Sequence, residues 1–322
     1  MILAGIDEAG YGPLLGPLVV GCCAFEIPGE APADLPCLWK LLRKLVSKNR
    51  SKTRRKLHVN DSKLVYSPSS GLHELERAVL AMSALRHGWA NDLPAFVRFT
   101  STGVMDELDQ YTWYRGFDGE QFPLEQSSDS IRVFVNALKL EFEKCHCKLV
   151  HLAARVVHER KFNQMLNQTR NKASALFSIA ATHIDELLRN FGDQNLVLFC
   201  DQQGGREHYG PLLRTMFEDW ALEIVEERDG YASYLLSQGQ KQVRIIFSEK
   251  AESRCMSVAL ASMISKYLRE ALMGRFNAYW KSHVPELKPT AGYYNDGLRF
   301  INDIAAKRHE LGILDHELIR VK

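Results

Sequence analysis

Residues 2–25 read ILAGIDEAGYGPLLGPLVVGCCAF, and their order decides the fold. Ile2-Leu3-Ala4-Gly5-Ile6 is a short apolar strand that stops at Asp7-Glu8. Gly10, Gly12, Pro13, Gly16 and Pro17 then crowd into one turn, and a second apolar strand runs from Leu18 to Phe25 with no helix between. Strands joined by so short a link are predicted to be antiparallel neighbours opening a mixed sheet. The two acids mark the end of the first.

Outward from this hairpin the pattern changes period. Leu72, Leu75, Val79, Leu80 and Met82 share one helical face, as do Ile131, Phe134, Val135, Leu138 and Phe142. Residues 173–188 read as a helix feeding the apolar strand 196–200, which ends at Asp201. Residues 221–247 read as strands broken by Asp229-Gly230 and Gln238-Gly239; residues 257–273 form a strong helix with small residues along one side. A loop over 285–297 and a last helix near 298–311 complete the chain. Strands first, then helices alternating with strands, predict an α/β fold with a mixed sheet.

Composition narrows the class. A chain of 322 residues that is 46% hydrophobic and 25% charged has material for a sizeable core, which excludes a disordered chain, a collagen-like fibre and a small disulfide scaffold. Lys+Arg 41 against Asp+Glu 39 leaves a net charge of only +2, so any grip on nucleic acid must come from local patches. The apolar run 14–25 contains Pro17 and is shorter than the roughly 18 residues of a spanning helix. With no basic region before it, neither membrane insertion nor a signal peptide is expected. The seven cysteines fit no linear zinc pattern, since Cys145-His146-Cys147 lacks a second half, and are read as idle or buried thiols of a reducing, cytoplasmic compartment.

Two segments are skewed. From Lys40 to Lys56 nine of seventeen residues are Lys or Arg and none is acidic, a concentration suited to phosphate. From Asp106 to Asp129 seven acids face the single base Arg115, which reads as a solvated insertion.

The chemistry is expected where acids meet strand ends. Asp7 and Glu8 close the first strand, Asp201 closes a later one, and Glu252 opens a helix after the strand 243–247. Gathered at one edge of a sheet they repel one another unless a counter-charge is supplied. Mg²⁺ prefers such oxygen donors, and a pair of ions about 4 Å apart drives in-line displacement at phosphorus.

The run GIDEAGYGPLLGPLVVG, Gly5 to Gly21, closely resembles the opening strand and turn of type 2 ribonuclease H (ribonuclease HII). Asp61-Ser62-Lys63-Leu64, Asn171-Lys172-Ala173, the strand ending at Asp201, KAESRCMSVALASMISKYLRE (Lys250 to Glu270) and Ala291-Gly292-Tyr293 resemble later blocks of that family, in the same order. The resemblance implies an RNase H-like fold, a mixed five-stranded sheet flanked by helices with insertions and a C-terminal helical segment. It implies a catalytic domain over 1–270, a C-terminal helical extension over 271–322, and insertions near 28–58, 92–126 and 221–234.

By the same resemblance, Asp7, Glu8, Asp201 and Glu252 are the catalytic acids and the ligands of two Mg²⁺ or Mn²⁺ ions. Gly10, Tyr11, Gly12, Lys63, Arg206, Lys266 and Tyr293 are the substrate-binding residues. The glycines let backbone amides approach a ribose, and reading the 2′-hydroxyl distinguishes RNA from DNA. The implied activity is endonucleolytic cleavage of the RNA strand of RNA:DNA hybrids, or of ribonucleotides embedded in duplex DNA. A nuclease of the same fold with another nucleic-acid substrate and a non-catalytic hybrid-binding protein are the alternatives. Tyr11 stands where the family usually has a basic residue, and Glu252 where it usually has Asp. His208 is read as either a general acid or a solvated surface residue.

Overall fold

The computed structural model describes residues 1–29, 35–51, 53, 55–116 and 121–321. Lys52 and Arg54 of the basic segment, Asp118 and Glu120 of the acidic one, and the corresponding parts of the insertions at 30–34 and 117–120 lie outside the described residues.

The strands are β1 (Ile2–Ala9), β2 (Leu18–Glu26), β3 (Val46–Ser47), β4 (Leu57–His58), β5 (Lys148–Val157), β6 (Leu196–Asp201), β7 (Ala221–Arg228), β8 (Tyr231–Gln238) and β9 (Lys241–Ser248). Seven of them form one mixed sheet in the order β5-β2-β1-β6-β9-β8-β7, while β3 and β4 pair separately in parallel. β1 and β2 are antiparallel neighbours, as their short link predicts, and β1, β6 and β9 run parallel. The sheet therefore has seven strands where five were expected. The extra pair is β8 and β7, which continue antiparallel from β9; two-residue turns at Asp229-Gly230 and Gly239-Gln240 join the three strands.

Both faces of the central strands are buried, so β1 and β2 read as continuous apolar runs. Leu3, Val19, Cys23 and Phe25 point to the layer containing the helix Met256–His283; Ile2, Ala4, Ile6, Leu18, Val20 and Cys22 point to the layer containing the helix Lys172–Phe191. Each large aliphatic side chain buried in these layers contributes about 1.5–3 kcal/mol. Gly5 is fixed by close approach: a Cβ there would lie 2.2 Å from the Val258 amide nitrogen, so only glycine lets the helix lie on β1. That contact brings the helix against the strand that carries Asp7.

The acidic segment is not simply solvated. Leu108, Tyr111, Trp113 and Tyr114 are buried, and the buried Glu76 accepts from the amides of Leu124, Glu125 and Gln126 at 2.6, 2.8 and 2.8 Å. At the C-terminus the predicted single helix is divided into Tyr294–Asp303 and Ala305–Glu310, with a short helix Asp315–Leu318 beyond. The helix Met256–His283 runs through residue 270 without a break. Among the described residues no helix is long and apolar enough to cross a membrane, and all seven cysteines are free thiols.

Candidate active site

Parallel pairing places Ile6 opposite Cys200, so Asp7 and Asp201 leave adjacent strands side by side. Antiparallel pairing would have carried the two strand ends to opposite edges. Asp201 lies opposite Ser248 at the end of β9, and the chain then makes a single 3₁₀ turn, Ala251–Ser253, that carries Glu252. Glu252 thus precedes the long helix by one turn rather than opening it. The Asp201 Oδ1 accepts from the Ala251 amide at 3.0 Å, which fixes this turn against β6.

The four carboxyls act on one another. Burial, then the charges of Glu8 and Asp201, push Asp7 well above the usual carboxylate range. Burial and Asp201 push Glu8 up to about 7, against the pull of Lys63. Burial and Asp201 also push Glu252 up to about 7, and burial raises Asp201 itself. Restoring forces are local: the Glu8 amide donates to Asp7 Oδ1 at 2.7 Å, and the Ser262 hydroxyl favours the Asp7 carboxylate. The Glu252 Oε2 is buried without a hydrogen-bond partner. Lys63 is a cation that faces the group. Burial works to lower its ammonium, but Asp61, Asp7, Glu252 and Asp201 together raise it.

An orphaned buried oxygen among mutually repelling carboxyls is a donor set for hard divalent cations. Asp7, Glu8, Asp201 and Glu252 fit Mg²⁺ or Mn²⁺ by chemistry. Asp201 is central among them, acting on Asp7, Glu8 and Glu252.

The glycine-rich turn lies beside this cluster. Gly10 adopts φ +87°, and a Cβ there would meet the Arg269 side chain at 2.5 Å and the Pro17 carbonyl at 2.7 Å. Gly12 has open space around it. The turn is held from beneath by three buried charges. Arg320 donates to the carbonyls of Gly10, at 2.5 Å, and Pro13; Glu159 Oε1 accepts from the Gly16 amide at 2.9 Å. Arg269 donates to the Ala291 carbonyl at 2.8 Å, and the Gly292 carbonyl accepts from Leu14 and Leu15. The C-terminal segment therefore supports the turn at its base.

Tyr11 is half-buried with the Lys172 ammonium 5.0 Å from its ring centre. Burial and Glu8 raise its phenol, while Arg206 lowers it, so the residue lies between the acids and a cation. Arg206 donates to the Ser174 hydroxyl at 3.2 Å. Lys266 is held by Glu270 at 2.7 Å and lies over the Tyr66 ring, one helical turn beyond Ser262. Tyr293 is 54% exposed, which excludes a core role, and its ring is 6.0 Å from the Arg269 guanidinium. His208 pairs with Glu227 on β7 at 2.9 Å. Lys48 of the basic segment donates to the Ser253 carbonyl, bringing that segment to the turn that carries Glu252.

Sequence reasoning missed three contributors. Lys172 and Asp61 belong to quoted blocks, but their positions beside Tyr11 and Lys63 emerge only in three dimensions. Arg320 carries no local signal, being a basic residue near the end of the chain.

Fold and site together define a mixed α/β protein with a carboxylate cluster at the ends of parallel strands. Neither a family model nor a curated protein matches the chain. Solved structures do, among them ribonucleases HII and HIII. The chain is similar to the RNase HII of Archaeoglobus fulgidus, solved in a complex with PCNA, at 17% identity over 100% of this chain and 95% of that one, with a TM-score of 0.48. It is similar to ribonuclease H2 from Pyrococcus horikoshii OT3 at 13% identity, covering 99% and 92%, with a TM-score of 0.39. Bst-RNase HIII in complex with Mn²⁺ gives 13% identity, covering 100% and 66%, with a TM-score of 0.42. At such identities and scores these likenesses carry no conclusion about activity, which rests on the side chains themselves.

Proposed function

We propose that the chain is a divergent type 2 ribonuclease H, a metal-dependent endoribonuclease that cleaves the RNA strand of RNA:DNA hybrids or ribonucleotides embedded in duplex DNA. The observation that carries this reading is the strand register that sets Asp7 and Glu8 beside Asp201 and Asp201 beside the turn bearing Glu252, with the charge of Lys63 acting on the group. Bound there, two divalent ions supply activated water and neutralise the charge developing on the phosphate. The acids hold the ions and keep the scissile phosphate in line with the attacking oxygen. Lys63 balances excess negative charge when the acids ionise.

Recognition falls to the turn. Backbone at Gly10 and Gly12 approaches a ribose, and its 2′-hydroxyl is the feature that separates RNA from DNA. Tyr11 offers one hydroxyl and a ring where a guanidinium would give a charged fork. Lys172 and Arg206 bring positive charge to the same place. The basic segment 40–56 tracks the backbone through sequence-independent phosphate contacts. Tyr293 stacks on a sugar from its exposed position. The reaction belongs to a cytoplasmic protein with reduced thiols.

The test is a labelled RNA:DNA hybrid incubated with the protein and Mg²⁺, Mn²⁺ or chelator, alongside duplex and branched DNA. Cleavage confined to the RNA strand, dependent on metal, is expected. Cleavage of DNA alone would reassign the substrate; tight hybrid binding without cleavage under either metal would overturn the enzymatic reading.

A further inference from the structure

A second group of ligand atoms lies on the other side of the sheet from the helix Met256–His283. Cys22 on β2, His151 on β5 and His183 on the helix Lys172–Phe191 are all buried, and one ligand atom from each lies within 4.8 Å of the other two. Register explains the meeting. Cys22 pairs with Ala153 and Ala24 with His151, so Cys22 and His151 are diagonal neighbours on one face of an antiparallel pair. The helix Lys172–Phe191 lays His183 onto that face.

The hydrogen bonding of the three residues is incomplete in an informative way. His183 Nε2 lies 3.0 Å from the Val20 carbonyl, which can only accept. That nitrogen therefore carries the ring proton, and Nδ1 presents a lone pair; Nδ1 is buried with no partner. His151 Nε2 is also buried with no partner. Neither nitrogen hydrogen-bonds to the other or to the Cys22 thiol, whereas one cation can be ligated by all three side chains. A backbone carbonyl that fixes the tautomer of a histidine is the usual outer partner of a metal-bound imidazole.

We propose that Cys22, His151 and His183 form a three-ligand transition-metal site, with Zn²⁺ as the ion its thiolate and imidazole donors fit and a fourth position left for a non-protein donor, tying β2 and β5 to the helix Lys172–Phe191. A thiolate with two neutral imidazoles suits this ion better than Mg²⁺ or Ca²⁺, which take oxygen donors. Burial holds both imidazoles neutral, ready to ligate without losing a proton. The thiol proton leaves to solvent as the sulfur–metal bond forms, one proton per ion. Glu186 acts on both Cys22 and His151 and is paired at 2.7 Å with Arg155, whose guanidinium acts on all three side chains, so the pair adds no net charge beside the site. Linear spacing hides the group, because its members lie on three separate elements.

The experiment is Co²⁺ titration of the full chain after chelator treatment, followed by visible and near-ultraviolet absorption. Oxygen donors at the carboxylate cluster give no sulfur-to-cobalt charge-transfer band, so the band reports thiolate ligation, and its loss in Cys22→Ser assigns it to this site rather than to another of the free thiols. The expected result is a charge-transfer band saturating at one equivalent, abolished by Zn²⁺ and missing in Cys22→Ser and His183→Asn. It should persist in Asp201→Asn, and one proton should be released per ion. A wild-type protein with no charge-transfer band would overturn the proposal whether or not the variants fold. So would a band of full strength in Cys22→Ser.

Discussion

Replacing Glu252 with Gln removes a charge from the carboxylate cluster while keeping its shape. Glu252 is pushed from 4.5 up to about 7, first by burial and then by Asp201. At about 1.4 kcal/mol per pH unit, ionising it in place costs about 3 kcal/mol more than ionising it in water. Because the charge is shared among coupled neighbours and reaches solvent in part, about 1–2 kcal/mol is the effect expected in a melt. The folded carboxyl binds its proton more tightly than the unfolded one. Its contribution to stability is therefore complete below about pH 4.5 and is lost as the pH rises through about 7. Gln resembles the protonated acid and can donate to Asp201 at any pH. Without metal, Glu252→Gln should match wild type at pH 5 and melt about 2–4 °C higher at pH 8. Mn²⁺ should raise the wild-type melting temperature at pH 8 and raise that of the variant less. Thermal melts at both pH values, with and without Mn²⁺, decide it. A variant that melts below wild type at pH 8 would show that the carboxyls do not repel one another in the folded protein.

Three other outcomes follow from the surrounding residues. Tyr11→Arg should narrow an expected preference for long hybrids over single embedded ribonucleotides, measured as kcat/KM on both substrates; equal wild-type rates would place recognition elsewhere. Replacing Arg50 and Arg55 with Ala should flatten the dependence of log K on log salt, each lost phosphate contact removing about 0.9 from the slope on B-DNA. An unchanged slope would make the segment a solvated surface. Arg320→Met leaves the Gly10 and Pro13 carbonyls without their buried donor and removes the positive charge acting on Glu159, and should lower stability to urea by about 3 kcal/mol. Adding Glu159→Gln should recover part of that loss, and additive losses would refute the coupling.

Much of the central sheet was legible because both faces of β1, β2 and β6 are buried, so their apolar runs end abruptly at acids. The antiparallel opening hairpin, the long helices and the three-strand meander over 221–248 each leave a local signal of period or turn. The sheet's width does not. Whether β7 and β8 join the main sheet depends on pairing across its edge, which no local pattern records. The acidic insertion misled for a related reason: its charges are conspicuous, while Tyr111, Trp113 and Tyr114 between them supply the buried contacts.

The site divides in the same way. That Asp7, Glu8, Asp201 and Glu252 sit at or just beyond strand ends was readable in the sequence, while their grouping as one set came from the resemblance to type 2 ribonuclease H. Their mutual repulsion follows from parallel pairing of β1 with β6, which the sequence leaves open. Lys172 beside Tyr11 and Arg320 beneath Gly10 are tertiary facts with long sequence separations. The Cys22, His151 and His183 group shows the limit most clearly. Seven cysteines without linear spacing read as idle thiols, yet pairing of β2 with β5, and the helix Lys172–Phe191 laid on that face, bring one of them to two histidines.

The measurement that bears most directly on the central claim is single-turnover cleavage of an RNA:DNA hybrid in Mg²⁺ by wild type and Asp7→Asn, with hybrid affinity measured on the same samples. Wild type should cut the RNA strand, and Asp7→Asn should bind the hybrid with most of the wild-type affinity and fail to cut it. Cleavage by Asp7→Asn within tenfold of wild type would contradict the assignment of the carboxylate cluster as the catalytic centre.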